Sequence, residues 1–130
     1  AIRAARVLGA DFAYIGSPFI ATTEANAPHG YKQMIVDSDA DDIVYSSLFT
    51  GVHGNYLKPS IKAAGLDPDH LPEADPSAMN FGSGGGKDAK AWRDIWGSGQ
   101  GIGSITAVTP VSDFIEKLKG EYDAAIDPPV

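Results

Sequence analysis

The sequence predicts an α/β fold in which a buried strand closes on a glycine-serine turn, and three observations predict it. Residues 12–15, Phe-Ala-Tyr-Ile, form a short apolar run of the kind buried on both faces of a parallel sheet. Gly16 and Ser17 follow at once, so bare backbone N–H groups and a hydroxyl stand at the carboxyl end of that strand. In open and barrel α/β folds, phosphate-bearing ligands sit at that end. Apolar residues also recur at helical spacing on both sides of the strand, which supplies the helices such a sheet packs against.

Residues 1–8 read as the end of an amphipathic helix, with Gly9 just past it in the usual place for a helix terminator. The helical pattern is present from Ala1, and no Met precedes it, so the chain is expected to begin inside this unit. Residues 11–16 read as the strand, and 19–23 as irregular. Thr22 or Thr23 is expected to cap a helix starting near Glu24, whose acid falls in the favourable first turn. Pro28 is tolerable only near that helix's start, and Tyr31, Met34 and Ile35 continue it as an apolar stripe. Residues 37–42 form an acidic loop, and 43–48 have strand composition before Gly51. A helix over 56–64 places Leu57, Ile61 and Ala64 on one face, with Pro59 in its first turn and Gly65 at its end.

Residues 66–86 read as a long loop, broken by Pro68, Pro72 and Pro76 and loosened by the glycines of 82–86. Loops this long inside a compact domain are uncommon and often functional. A helix from about 87 to 96 follows, with Ala91, Trp92 and Ile95 on its apolar side, and then a glycine-rich stretch over 97–103. Thr109-Pro110 opens the last helix as an N-cap followed by proline at the first helical position. Val111, Phe114, Ile115, Leu118 and Tyr122 give it a docking face, and 127–130 read as a frayed tail.

Composition narrows the function. A chain of 130 residues with 43% hydrophobic content suits one globular domain, or a large piece of one. A formal net charge of -7 argues against an electrostatic footprint for nucleic acid or anionic lipid. The absence of cysteine removes disulfides, thiol catalysis and cysteine-zinc sites. The apolar runs fall well short of the ~20 residues of a membrane span. The Arg3, Arg6 start lacks the apolar core and cleavage site of a secretory signal. A soluble cytoplasmic protein with no nucleic-acid or membrane partner is expected.

Several motifs fail on inspection. The glycine cluster 97–103 follows a helix rather than a strand, and no starting position gives all three glycines of a dinucleotide fingerprint. Around Lys87, Phe81 stands where the first glycine of a P-loop belongs, and Asp88 replaces its Ser or Thr. Asp37, Asp39 and Asp41 mimic the start of a calcium loop, but Asp42 and Leu48 occupy the positions of its glycine and closing Glu. His29, His53 and His70 lack metal-ligand spacing and read as surface or loop residues, His53 standing out because it follows Phe49-Thr50-Gly51. Trp92 and Trp96, four residues apart, read as core packing. Glu24 and Asp11 read as caps or solvated faces.

The segment 9–22, Gly-Ala-Asp-Phe-Ala-Tyr-Ile-Gly-Ser-Pro-Phe-Ile-Ala-Thr, resembles the last barrel strand of the nitronate monooxygenases, formerly 2-nitropropane dioxygenases. Members of that family show Gly-Ala-Asp, a hydrophobic strand, then Gly-Thr, Arg-Phe and Ala-Thr. Further similarity lies in Glu24, Ala25, Tyr31 and Lys32, in Asp42-Ile43-Val44-Tyr45 with Phe49-Thr50-Gly51, and in 96–103, where members carry an Ala-Gly-Gln segment. Together these cover most of the chain in the right order.

The resemblance implies an FMN-dependent enzyme on a TIM barrel with a smaller appended α/β domain, oxidising alkyl nitronates with molecular oxygen. A TIM barrel needs roughly 250 residues. The resemblance therefore implies the carboxyl-terminal portion of such a protein: residues 1–22 as the last βα unit of the barrel, 23–108 as the smaller region, and 109–130 as a terminal helix packing on the barrel, with its tail. It implies FMN contacts at Ile15, Gly16 and Ser17 on the phosphate side and at Gln100 and Gly101 near the flavin ring. Ser17 keeps the hydroxyl of the family's usual Thr, whereas Pro18 replaces its usual Arg and so loses a cation and an N–H. The family's catalytic histidine region lies upstream, and no catalytic residue is assigned within this chain. The expected partners are the nitronate and O2, with a homo-oligomer left open. The strand at 12–15, deprived of sheet neighbours, is expected to expose apolar surface. Two alternatives stand beside this reading: a related FMN barrel reductase of the enoyl reductase type, and a free-standing, non-catalytic α/β module that binds an anion or a protein.

Overall fold

A computed structural model describes residues 1–73 and 93–125. In chain order the elements are α1 (Ile2–Val7), α2 (Ser17–Ile20), α3 (His29–Asp37), a 3-10 turn (Ala40–Asp42), β1 (Ile43–Ser46), β2 (Gly54–Leu57), α4 (Lys58–Ala63), a second 3-10 turn (Gln100–Ser104) and α5 (Val111–Ala124). No helix among the described residues is long and apolar enough to cross a membrane.

The sheet is an antiparallel pair, with Ile43 opposite Leu57, Val44 opposite Tyr56, Tyr45 opposite Asn55 and Ser46 opposite Gly54. Residues 96–98 run along the far side of β2. The Leu57 N–H donates to the Trp96 carbonyl (2.8 Å) and the Ser98 N–H to the Asn55 carbonyl (3.2 Å). Gly97 faces Tyr56 in this pairing. A Cβ at Gly97 would lie 3.2 Å from the Asn55 carbonyl oxygen, so this close approach calls for glycine. Ile43 and Leu57 turn inward from the hairpin onto Ala21, Ile35 and Ile102 to form one buried cluster. Tyr31, Met34, Val36, Trp96 and Ile105 pack around it. The expected stripe Tyr31, Met34, Ile35 thus faces the core, and Ile35 is fully buried.

The structure departs from the sequence-based expectations at several elements. Residues 11–16 form no strand and pair with none among the described residues, and Phe12 and Tyr14 are 92% and 101% exposed. The apolar run carries the signature of burial, yet a strand exists only where a neighbour completes its hydrogen bonds. The stretch after Gly16 folds directly into α2, with Pro18 in its first turn. The helix expected from Glu24 begins instead at His29. Pro28 is extended at its N-cap, and proline also disfavours helix for the residue before it. Neither Thr22 nor Thr23 caps that helix. Thr22 bridges Thr109 in parallel, and the Thr23 N–H donates to the Thr109 carbonyl (3.0 Å).

The first half of the helix expected over 56–64 is β2, because Tyr56 and Leu57 complete the ladder with β1; α4 starts only at Lys58, with Pro59 in its first turn. At α5 the N-cap is Pro110 rather than Thr109, and no side chain of that residue caps the helix. Gly9, at φ +94°, lies in the left-handed region expected of a residue just past α1. The helix expected over 87–96 lies mostly outside the described residues, as do Pro76, the glycines of 82–86, Trp92 and the tail 127–130.

Candidate functional site

Gly16-Ser17 and the glycine-rich segment, far apart in sequence, meet in the fold. The Gly99 N–H donates to Ser17 Oγ at 2.8 Å. Ser17 is the first residue of α2, so its own N–H faces no intrahelical acceptor. Its hydroxyl accepts from Gly99 and keeps its proton to donate elsewhere. Gly16 is exposed, and a Cβ there would meet nothing within 4 Å, so a ligand can approach the backbone closely. Ile15 just before it is partly buried.

Gln100 and Gly101 open the second 3-10 turn and are both exposed. With Gly103 and Ser104 they line an open depression of about 400 Å³, whose opposite wall is Asp39, Ala40 and Asp41. Ile102, between Gly101 and Gly103, is fully buried and ties this turn to the core. The structure therefore brings Gln100 and Gly101 to one depression. Ile15, Gly16 and Ser17 lie outside its lining, and the Ser17–Gly99 bond ties them to the residue just before Gln100.

The acidic loop acts as local capping. Asp39 Oδ1 accepts the Asp41 N–H at 2.8 Å, and Asp42 Oδ2 accepts the Asp39 N–H at 3.1 Å, forming a capping box on the first 3-10 turn. Among the described residues, no group of three or more acidic, histidine or cysteine side chains is placed to hold a metal ion. The histidines stay apart from the depression. His53 stacks on Tyr45 (4.8 Å between centroids), and exposed His70 pairs with Asp67 at 2.8 Å. The Asp67 hydrogen bond raises His70 above its ordinary 6.5.

Residue-level reading missed the groups that hold the glycine-rich segment. The Tyr31 hydroxyl donates to the Gly97 carbonyl, and its ring stacks on Trp96 at 5.0 Å and 14°. Burial pushes the Tyr31 hydroxyl above its ordinary 10, so it remains a proton donor at neutral pH. Ser60, 1% exposed, accepts the Trp96 N–H at 3.0 Å and donates to the Leu57 carbonyl at 2.8 Å. Tyr31 belongs to an apolar stripe whose periodicity announces the ring and says nothing of the hydroxyl. Ser60 carries no sequence signal at all.

Comparison with known proteins places these features in a family. Residues 1–121 match the family profile described as Nitronate monooxygenase. A curated relative, the nitronate monooxygenase of Paraburkholderia phytofirmans, is 26% identical over 130 residues, covering 97% of this chain and 36% of the relative. Among solved structures, the M276A mutant of FabK from Thermotoga maritima superposes with a TM-score of 0.62 at 22% identity, covering 94% of this chain and 36% of that one. That likeness is one of fold. The chain spans little more than a third, 36%, of either protein.

Proposed function

The chain belongs to the nitronate monooxygenase family, and we propose that it serves as the carboxyl-terminal portion of an FMN-dependent oxidoreductase that oxidises alkyl nitronates with O2. In this reading residues 1–22 complete a TIM barrel, 23–108 form the smaller domain beside the flavin, and 109–130 return to the barrel. The parallel bridge between Thr22 and Thr109 supports that division, because it joins the first and last parts directly. The exposed segment at 12–15 supports it too, since its apolar side chains suit a strand flanked on both sides.

The residues present fit the cofactor. Gly16 leaves open space at the backbone, Ser17 offers an N–H and a hydroxyl, and the pair is tied at Gly99 to the turn that presents Gln100. Together with Ile15 they would hold the phosphate end, as the loops after the last barrel strands often do. Pro18 adds neither cation nor N–H, so the anion contact here rests on dipoles and the hydroxyl. Gln100 and Gly101 would lie near the ring, where a carboxamide can both donate and accept. When bound, FMN supplies the redox chemistry. The Ser17–Gly99 bond carries this reading, because it joins the two turns, far apart in sequence, that the family resemblance assigns to the same ligand.

The test is the full-length protein containing this segment. It is expected to purify with flavin absorbance and to consume O2 when given an alkyl nitronate. Nicotinamide-dependent reduction of an enoyl thioester without O2 uptake would assign it instead to the reductase class. A colourless protein that binds no added FMN would overturn the reading.

A further inference from the structure

We propose that Tyr31 is a positioning residue for the Gln100-Gly101 turn, acting through the Gly97 carbonyl and the Trp96 ring. The inference rests on the reading that Gln100 and Gly101 touch the flavin.

A glycine-rich segment has few side chains of its own to hold it, and glycine loses more conformational entropy on ordering than other residues. Its position must come from its neighbours. Along 96–99 the anchors alternate. Trp96 is bonded to Ser60 and Leu57, Gly97 to Tyr31, Ser98 to Asn55 and Gly99 to Ser17. Beyond them Ile102 is fully buried, and Gln100 and Gly101 between are exposed. The place of Gln100 is therefore set by the anchors on either side of it.

Tyr31 differs from the other anchors because it ties the segment to α3 through both a ring and a hydroxyl. It sits near the start of α3, and Ile35, one turn on, is locked in the core. Ring and hydroxyl grip adjacent residues, so α3 cannot shift without moving Trp96 and Gly97. Trp96 also packs close to α3 at Gly30, where a Cβ would lie at ordinary contact distance, 3.5 Å, from the indole. The hydroxyl remains protonated at neutral pH, so the grip holds under working conditions.

The test uses the FMN-loaded full-length protein. Tyr31→Phe keeps the ring and its stack but deletes the donor. Loss of a hydrogen bond of ordinary net strength is expected to raise the FMN dissociation constant about three- to tenfold. The visible circular dichroism of the bound flavin is expected to change as well. Ile35→Val trims the core beneath α3 but keeps the Tyr31 ring and hydroxyl; it should lower the Tm and move both flavin readouts far less than Tyr31→Phe does. Trp96→Phe, which shrinks the stacked face, should move the flavin readouts in the same direction as Tyr31→Phe. Unchanged affinity and dichroism in Tyr31→Phe, while Gln100→Ala weakens FMN, would overturn the role of Tyr31 and leave the flavin reading intact. Equal weakening by Ile35→Val would also overturn it, because the effect would then be general stability. A wild-type protein that binds no FMN would remove the flavin reading and this inference with it.

Discussion

Glu24 stands 87 residues from the helix it caps. Its two carboxylate oxygens accept the Val111 N–H at 3.1 and 3.0 Å, satisfying one of the orphan donors at the start of α5. The Thr23 hydroxyl donates to the same carboxylate at 2.8 Å, and this bond, then that of Val111, holds Glu24 below its ordinary 4.5. A lowered folded-state pKa adds stability that is complete above 4.5 and is lost as pH falls through the folded value. Thermal melts between about pH 7 and about pH 3 should therefore show wild type losing its advantage over Glu24→Gln as the pH falls. A gap between the two that stays constant with pH would remove the carboxylate from this role. Ser60 makes a second prediction. Ser60→Ala leaves the Trp96 N–H without its acceptor and should cost about 1–3 kcal/mol in urea denaturation. An acid in a first helical turn was legible from the sequence at Glu24, but the helix was the wrong one. Which N–H a carboxylate reaches across 87 residues is a property of the fold.

Among the elements, α5 is only lightly tied to the core. None of its residues is fully buried. It is held by Phe114 against Phe19, edge-on at 5.0 Å, and by Tyr122, which takes a hydrogen bond from Arg6 at 2.7 Å and lies 5.7 Å beneath the Arg3 guanidinium. Phe114→Ala should lower stability by about 1–2 kcal/mol, less than a fully buried ring would cost. Native-state hydrogen exchange should show 111–124 opening before the β1–β2 pair, and equal protection of the two would contradict this ordering. The period of Val111, Phe114, Leu118 and Tyr122 made α5 legible, because helical hydrogen bonds are local and one apolar stripe suffices. Strands were less legible. Residues 43–46 carry β-branched and aromatic side chains and were found, whereas Gly54-Asn55-Tyr56-Leu57 has no alternation and becomes a strand only through its partner. Residues 12–15 are the reverse case, with strand composition and no ladder among the described residues.

At the scale of the molecule, exposed apolar side chains gather along 7–14: Val7 (77%), Leu8 (88%), Phe12 (92%) and Tyr14 (101%). Surface of this kind is seldom left in water. The 130-residue polypeptide is therefore expected to self-associate in analytical ultracentrifugation. Phe12→Ser with Tyr14→Ser should return it toward a monomer with unchanged far-UV circular dichroism. A monomeric wild type at tens of micromolar would show that this surface is tolerated. In the full-length protein the same double substitution should instead impair folding, since there the segment is proposed to be a covered strand.

What the sequence determined by itself was local. Helical periods, the glycine that ends α1, the prolines in first turns, the failed calcium, P-loop and dinucleotide motifs, and the family resemblance carried by short runs around Gly16 and Gln100 all depend on residues near one another in the chain. Tertiary structure alone decided the rest. It set Ser17 against Gly99, Tyr31 against Gly97, Ser60 under Trp96 and Glu24 on Val111. Each is a hydrogen bond made by one polar group on a partner distant in sequence. A side chain's capacity to donate or accept is written in its identity, but its partner is chosen by the packing of Ile35, Leu57 and Ile102, which brings the segments together.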